Sequence, residues 1–594
     1  MHPSSPDGPA APAAPAEGAA TAAFRAARDL LLDDSHDLDA ARAAFRWPDV
    51  GPHFNWAVDW FDVVARDNDA TALWITHDDE RPDDVVSFDR MRRRSDQVAS
   101  WLHDLGVRQG DHVALVLGNQ VELWEAMLAV MKLGAVILPT STALGTDDLA
   151  DRVERGRVRH VVAVADDAPL VDAVPGIGSV TRIAVGTGAG AGGAATVPAG
   201  WADWADSHRA SGPRPEVTVS TDDPCLVYFT SGTTSRPKMV VHTHASYPVG
   251  HLTTTYWLGV RPGDVHMTIS SPGWGKHAWS CFFAPWTAEA TVFVHDHARF
   301  RPAVLREHLD RAAVTSFCAP PTVWRMLIQS SLGERPVALR EALSAGEPLN
   351  PEVIARVQGS WGLGIRDGYG QTETTAIVAN APGATVRAGS MGRPLPGVEV
   401  VLVDPVTGHR GDEGEVCLDL TVRPVNLMRG YLGDDERTAA AVRDGLFHTG
   451  DVAVRDADGM ITFVGRTDDV FKSSDFKVSP FEVESVLIGH PAVAESAVVP
   501  APDDVRLAVV KAYVALADGW SPDEATARAV LEHAREHLPR YSRVRRVEFA
   551  ELPKTISGKI RRVELRQREE DAAAPGAPAR RDGEWREEDF REAR

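Results

Sequence analysis

The sequence predicts an α/β protein: a large N-terminal domain of parallel sheets with helices plus a small β unit, then a small α+β C-terminal domain. Three observations predict it. His112–Leu117 (HVALVL), Val121–Leu133 and Ala135–Pro139 read as strand, amphipathic helix and strand, the alternation that builds a helix-covered parallel sheet. Around residues 400–465 the pattern shortens to VEVVLVD, GEVCLDL, DVAVRD and MITFVG, broken by turns at Asp404-Pro405 and Asp458-Gly459, which indicates a small antiparallel unit. After Arg466 a new α/β pattern begins, with strands near Ala497–Val499 and Ala508–Val514 and a helix around Asp523–His537.

The elements follow in order. Residues 1–23 are rich in Ala and Pro and are expected to be a disordered tail. A helical pattern starts near Phe24, and the aromatic stretch FNWAVDWFDVVA follows from Phe54. Gly134 stops the helix before the second strand, and Val161–Val164 is a further strand. Gly186–Gly200 is too Gly- and Ala-rich to pack a core and is expected to be a surface excursion. The α/β pattern resumes at Cys225. A boundary near Asp468 divides an N-terminal domain, 24–467, from a C-terminal domain, 468–568, and residues 569–594 look like a second tail.

Bulk properties exclude several classes. A net charge of −22 repels phosphate backbones and anionic lipid surfaces, so neither nucleic acid nor a membrane is an expected partner. No run of 18 apolar residues is present, and the N-terminus lacks the basic and apolar regions of a secretory signal. Cys225, Cys281, Cys318 and Cys417 form no CxxC pair and lie in apolar surroundings. They are expected to be buried thiols in a reducing cytoplasm, which argues against structural zinc.

Five segments carry chemistry. In LVYFTSGTTSRPK, residues 226–238, an apolar strand runs into hydroxyls and a glycine, an anion cradle completed by the charge of Lys238. It is not a Walker A loop, because Pro237 precedes the lysine and Met239 follows it. In DGYGQTET, residues 367–374, Tyr369 offers a face for a base, Thr372 a hydroxyl for a phosphate and Glu373 a hard carboxylate suited to Mg²⁺. In HTGD, residues 448–451, an Asp on a tight turn can accept both hydroxyls of a ribose. VGRTDD, residues 464–469, marks the shift in composition, and PKTISGKIRR, residues 553–562, places Lys559 in a Gly-containing loop. A lone lysine in such a loop is ordinarily just solvated.

Together, in this order and spacing, the five segments resemble the superfamily of adenylate-forming enzymes, which includes acyl-CoA synthetases, nonribosomal adenylation domains and luciferases. FNWA, PKMVVHTH, SPGWGKHAW, APPTVWRML and RGYLGD look closest to the medium-chain acyl-CoA synthetases and their acetyl-CoA synthetase relatives. The resemblance implies that Thr230, Ser231, Gly232, Thr233, Thr234 and Lys238 hold the β- and γ-phosphates of ATP. It implies that Gly346, Glu347 and Pro348 line the adenine site, with Asp367 and Gln371 also at the nucleotide. Tyr369 then stacks on the adenine, Thr372 contacts the α-phosphate, Glu373 binds Mg²⁺, and Asp451 holds the ribose beside Arg466. Asp468 falls at a hinge about which the mobile C-terminal domain rotates as a lid, and Lys559 bridges the substrate carboxylate and the α-phosphate.

The implied reaction is ATP-dependent activation of an acid as an acyl-adenylate, followed by transfer to CoA; the acid would be a short or medium-chain or aryl carboxylate. The expected partner is that small-molecule acid, and a homodimer is left open. Residues 271–286 are expected to line the acyl site, with Trp274 as an aromatic gate, Lys276 and His277 beside it, and Gly370 opposite. Trp274 points to a compact acid. Lys276 is either solvated or meets a second polar group or anion on the substrate. One departure stands out: Asp475 occupies a position where the family has glycine, adding bulk and negative charge. It keeps open a second reading, an adenylating enzyme with a non-CoA acceptor: an amine, a carrier thiol, or nitrite activated for diazotisation of an aryl amine.

Overall fold

A computed structural model of the chain describes residues 18–590, apart from 80, 187–196, 231–235, 298–299, 331, 474–475, 504–506, 555–558 and 574–579. The Gly/Ala-rich excursion therefore falls largely outside the described residues. Among the described residues, no helix is long and apolar enough to cross a membrane.

Two large sheets form the N-terminal part. In the first, the apolar strands Val136–Thr140, His112–Val116, Val158–Val164 and Thr181–Val185 run parallel, with Pro224–Thr230 parallel to Val136–Thr140. Buried on both faces, such strands are nearly continuous Val, Ile, Leu and Ala, which is why the alternation was readable in the sequence. Lys238–Thr243 and the two-residue strand Gly430–Tyr431 extend this sheet antiparallel at its edge.

In the second sheet, Thr71–His77, Thr291–Asp296, Val265–Thr268, Ser316–Ala319, Glu341–Ala345 and Ile365–Gly370 lie side by side and parallel. Antiparallel strands Ala376–Ala379 and Ser390–Pro394 follow. The strands expected as a separate β unit continue this sheet: Ser390–Pro394 pairs with Ile461–Arg466, and Leu446–Arg455, Glu413–Asp419 and Val400–Val403 carry it onward. The small unit is thus an extension of the large sheet.

The buried layer between the sheets includes helices Val121–Lys132 and Leu252–Leu258 and the π-helical turn Trp279–Phe283, where Trp124 Nε1 donates to the Cys281 carbonyl at 2.7 Å. All four cysteines are buried and free, as expected.

Beyond Arg466 come a two-stranded ribbon, Phe471–Ser473 with Phe476–Val478, and a four-stranded sheet. Val493–Asp503, Leu507–Leu516 and Arg546–Phe549 form that sheet, flanked by helices Pro480–Ile488 and Glu524–His537.

Both tail assignments need correction at their inner ends. The first helix spans Ala19–Asp33, because its Ala-rich start buries Thr21, whose hydroxyl donates to the Asp59 carbonyl at 2.6 Å. At the other end, helix Arg562–Ala572 runs past residue 568, and Glu584–Arg586 adds a fourth strand, antiparallel to Arg546–Phe549. Charge in this segment is engaged rather than solvated: Glu584 pairs with the fully buried Lys511 at 2.7 Å.

Candidate active site between the two sheets

Ligands of open parallel sheets gather at the carboxyl ends of the strands, and the predicted residues cluster there. Thr230 ends one strand and Lys238 begins the next, paired across from it, so the phosphate-loop segment joins two antiparallel neighbours. Ser231, Gly232, Thr233 and Thr234 lie outside the described residues. Lys238 is half-buried, its ammonium 3.7 Å from Glu373 Oε1 and 3.4 Å from the Tyr431 hydroxyl.

Strand Ile365–Gly370 delivers Asp367 and Tyr369 and then enters a tight turn. There the Gln371 N–H donates to Thr374 Oγ1 at 3.0 Å and the Thr374 N–H to the Gln371 carbonyl at 3.1 Å. This turn holds Thr372 and Glu373 at the mouth of the site. It is braced from the other sheet by His242, whose Nε2 donates to the Thr372 carbonyl at 2.7 Å while Nδ1 meets Ser246 Oγ at 2.9 Å. Burial lowers the His242 imidazole to about 4, with the bond to Thr372 opposing it, so the ring is neutral near pH 7.

Asp451 is the focus of a polar network. Its Oδ2 accepts from the Tyr369 hydroxyl at 2.6 Å and from Gln371 Nε2 at 2.6 Å, and its Oδ1 accepts from Arg466 at 2.9 Å. Asp451 and Arg466 face one another in neighbouring strands, which explains their closeness despite 15 intervening steps of chain. Burial raises the Asp451 carboxyl, and Arg466 opposes it first among its neighbours. Arg466 also lies 3.6 Å from Asp468.

Behind this turn Glu415, Cys417 and His448 bring a carboxylate, a thiol and an imidazole within 4.8 Å of one another. Arg443 holds a guanidinium 3.1 Å from His448 Nδ1, and Glu415 Oε1 accepts the Gly450 N–H at 2.8 Å. With a cation already present, the trio is a buttress for the Thr449–Asp451 turn rather than a metal site.

Gly346, Glu347 and Pro348 follow strand Glu341–Ala345, and Gly346 takes φ +106°, a conformation glycine supplies without strain. A side chain at Gly370 would strike the Thr375 carbonyl and the Trp279 ring, so only glycine lets these segments touch. Trp274 and His277 line a small pocket together with Leu115, Leu123, Met127 and Tyr228. Burial lowers His277 to about 3, so it enters as a neutral ring, 3.2 Å from Asn119 Oδ1. The Tyr228 ring is buried beside that of Tyr247, their centroids 5.6 Å apart.

Lys276 is half-buried and donates to the Ala345 carbonyl at 3.1 Å, and Gly370 packs on Trp279. Lys559 is exposed, beside the isolated bridge between Lys554 and Ile560. Asp475, like Ser474, lies outside the described residues. One residue was missed: Tyr431, whose hydroxyl donates to Glu373 Oε1 at 2.8 Å. The sequence signal for it was RGYLGD, which served only as a mark of resemblance.

Lys276 also bears on Asp367. Burial raises that carboxyl to about 8, with the Gly368 N–H and Lys276 opposing it. The folded value lies above the unfolded one. Its stabilising contribution is therefore full in acid, declines as pH rises toward the folded value, and is gone above it. The decline is at most about 1.4 kcal/mol per pH unit. Wild type is expected to lose melting temperature more steeply than Asp367→Asn between about pH 5 and 8. Parallel profiles would show that the carboxyl ionises normally.

The family model described as AMP-binding enzyme matches residues 60–432, and that described as AMP-binding enzyme C-terminal domain matches 482–559. The chain is 40% identical to 4-hydroxybutyrate–CoA ligase 1 of Metallosphaera sedula, over 88% of this chain and 92% of that one. It is 37% identical to the mitochondrial acyl-coenzyme A synthetase ACSM3 of Mus musculus, over 88% and 91%. Among solved structures it superposes on the anthranilate CoA ligase AuaEII in complex with anthranoyl-AMP, at TM-score 0.78 and 29% identity, covering 88% of this chain and 99% of that one. A benzoate CoA ligase from Burkholderia xenovorans gives TM-score 0.74 at 26% identity, covering 86% and 100%.

Proposed function

Since the chain belongs to the AMP-binding enzyme family and is an AMP-forming acid–CoA ligase, we propose that the cleft between the two sheets binds ATP with Mg²⁺ and activates a short or aryl carboxylic acid. The observation that carries this is the convergence of Tyr369, Gln371, Asp451 and Arg466 on one side and Glu373 and Lys238 on the other. The first set offers an aromatic face and a carboxylate for a nucleoside. The second offers charges of both signs for a metal–triphosphate.

Glu373 fits a hard cation: its carboxylate is largely buried, and only Oε1 is engaged by Tyr431 and Lys238 among the described residues. Bound there, Mg²⁺ would supply charge neutralisation on the phosphates. The substrate carboxylate attacks the α-phosphorus, a carboxylate O–P bond forms, and the bond to pyrophosphate breaks. Thr372 and Lys238 hold the phosphates for that displacement, and Lys559 draws the two anions together. In the second step the CoA sulfur attacks the acyl carbon and AMP leaves with the bonding pair.

The small pocket beside Trp274 favours a compact acid. The relative from Metallosphaera sedula is named for 4-hydroxybutyrate, an acid of that kind. A panel of 4-hydroxybutyrate, butyrate, benzoate, glutarate and octanoate, followed by pyrophosphate release and thioester formation, tests the assignment. Compact acids are expected to exceed octanoate in kcat/KM by about tenfold or more, the usual discrimination of a closed apolar pocket. Octanoate as the best substrate would overturn the pocket assignment. Pyrophosphate and AMP without thioester would favour the non-CoA acceptor suggested by Asp475.

A further inference from the structure

The strand Gly430–Tyr431 has only two residues, and its position comes from its neighbours. Gly430 and Tyr431 pair with Val241 and Val240 of the strand that begins at Lys238. The Arg429 N–H donates to the Val241 carbonyl at 2.9 Å and the Leu432 N–H to the Met239 carbonyl at 2.8 Å. From the other sheet, the Glu373 carbonyl accepts the Met428 N–H at 2.8 Å. Residues 428–432 are therefore tied to the phosphate-loop strand on one side and to the Glu373 turn on the other.

This places a phenol between two opposite charges. The Tyr431 hydroxyl donates to Glu373 Oε1 at 2.8 Å and lies 3.4 Å from Lys238 Nζ. The same ammonium stands 5.2 Å over the Tyr431 ring and 3.7 Å from the carboxylate. At that separation, in a largely buried setting, lysine and glutamate attract strongly. At 3.7 Å the two already form a long ion pair, bridged by the hydroxyl. Without the hydroxyl the pair would shorten toward the roughly 2.7–2.9 Å of a direct charge-assisted bond, and each group would then be less available to a ligand.

We infer that Tyr431 is a positioning residue that bridges the Glu373–Lys238 ion pair and keeps it at its long spacing, so that the carboxylate stays available to a metal and the ammonium to a phosphate. The inference rests on the ATP–Mg²⁺ reading given above. Tyr431 need not touch the reacting atoms. The ammonium stands over the face of the ring, and the hydroxyl engages Oε1, fixing the orientation of a carboxylate that would hold the cation.

The test is binding rather than turnover. ATP is titrated calorimetrically into the full-length protein with Mg²⁺ and again with EDTA, for wild type, Tyr431→Phe, Glu373→Gln and the double variant. Phenylalanine keeps the ring and removes only the hydroxyl. Tyr431→Phe is expected to reduce the Mg²⁺-dependent gain in ATP affinity by about tenfold, the usual effect of one hydrogen bond to a charged group. Affinity in EDTA and melting temperature should stay at wild-type values. In the Glu373→Gln background the further change should vanish, because the two act through one carboxylate. An unchanged Mg²⁺ gain in Tyr431→Phe, or an undiminished effect in the Gln background, would overturn the inference. Wild type that binds no ATP under either condition would instead overturn the proposed function, and the inference with it.

Discussion

Lys559→Ala is expected to lower acid-dependent pyrophosphate exchange by about 10²–10³-fold, the effect of removing one preorganised charge from an anionic transition state. Two anions, a carboxylate and a triphosphate, must meet for the first step. Lys238 faces Glu373 and Arg466 pairs with Asp451. Lys559 is exposed, so its removal leaves no cavity and should not move the melting temperature. The second half-reaction, begun from preformed acyl-adenylate, should be largely spared. Exchange within about threefold of wild type would exclude Lys559 from the chemistry, since a tenfold change is only about 1.4 kcal/mol.

The legible and illegible parts of this protein divide along chain distance. Strands such as His112–Val116 and the helix Val121–Lys132 were readable because burial on both faces, or on one helical face, is written in consecutive residues. The turn at residues 371–374 was readable because its hydroxyls and carboxylate are adjacent. Tyr431 was not, because its partner Glu373 is 58 residues away and the two meet only through the edge strand's register. The direction of Lys276 was hidden for a related reason. It lies on the short helix Gly275–Ala278, where the sequence says nothing of which way each side chain turns: His277 joins the cavity and Lys276 goes to the Ala345 carbonyl. The C-terminal segment, rich in Ala, Arg and Glu, looked like a tail, because nothing local shows that Glu569 and Glu584 meet their counter-charge, Lys511, on a distant strand.

Those counter-charges support the second large expected effect. Lys511 is fully buried on strand Leu507–Leu516, with Glu548 and Glu584 at 2.7 Å and Glu569 at 2.9 Å. Arg581 pairs with Glu569 and Arg586 with Glu584, so three cations balance three carboxylates. Replacing Lys511 by methionine keeps the stem and leaves one uncompensated buried charge, for which a loss of about 3–5 kcal/mol is expected. Chemical denaturation of the C-terminal part would report it. The pH dependence identifies the cause. Burial alone would raise Glu569 and Glu584, but Lys511 and its companions more than offset it and hold both below the usual carboxylate range. Their stabilisation is therefore present above the unfolded value and lost as pH falls through the folded one. Without Lys511 the carboxylates should take up protons readily, so the deficit of the methionine variant should be largest near neutrality and shrink in acid. A deficit that stays constant with pH would mean that Lys511 matters for its packing and not for its charge.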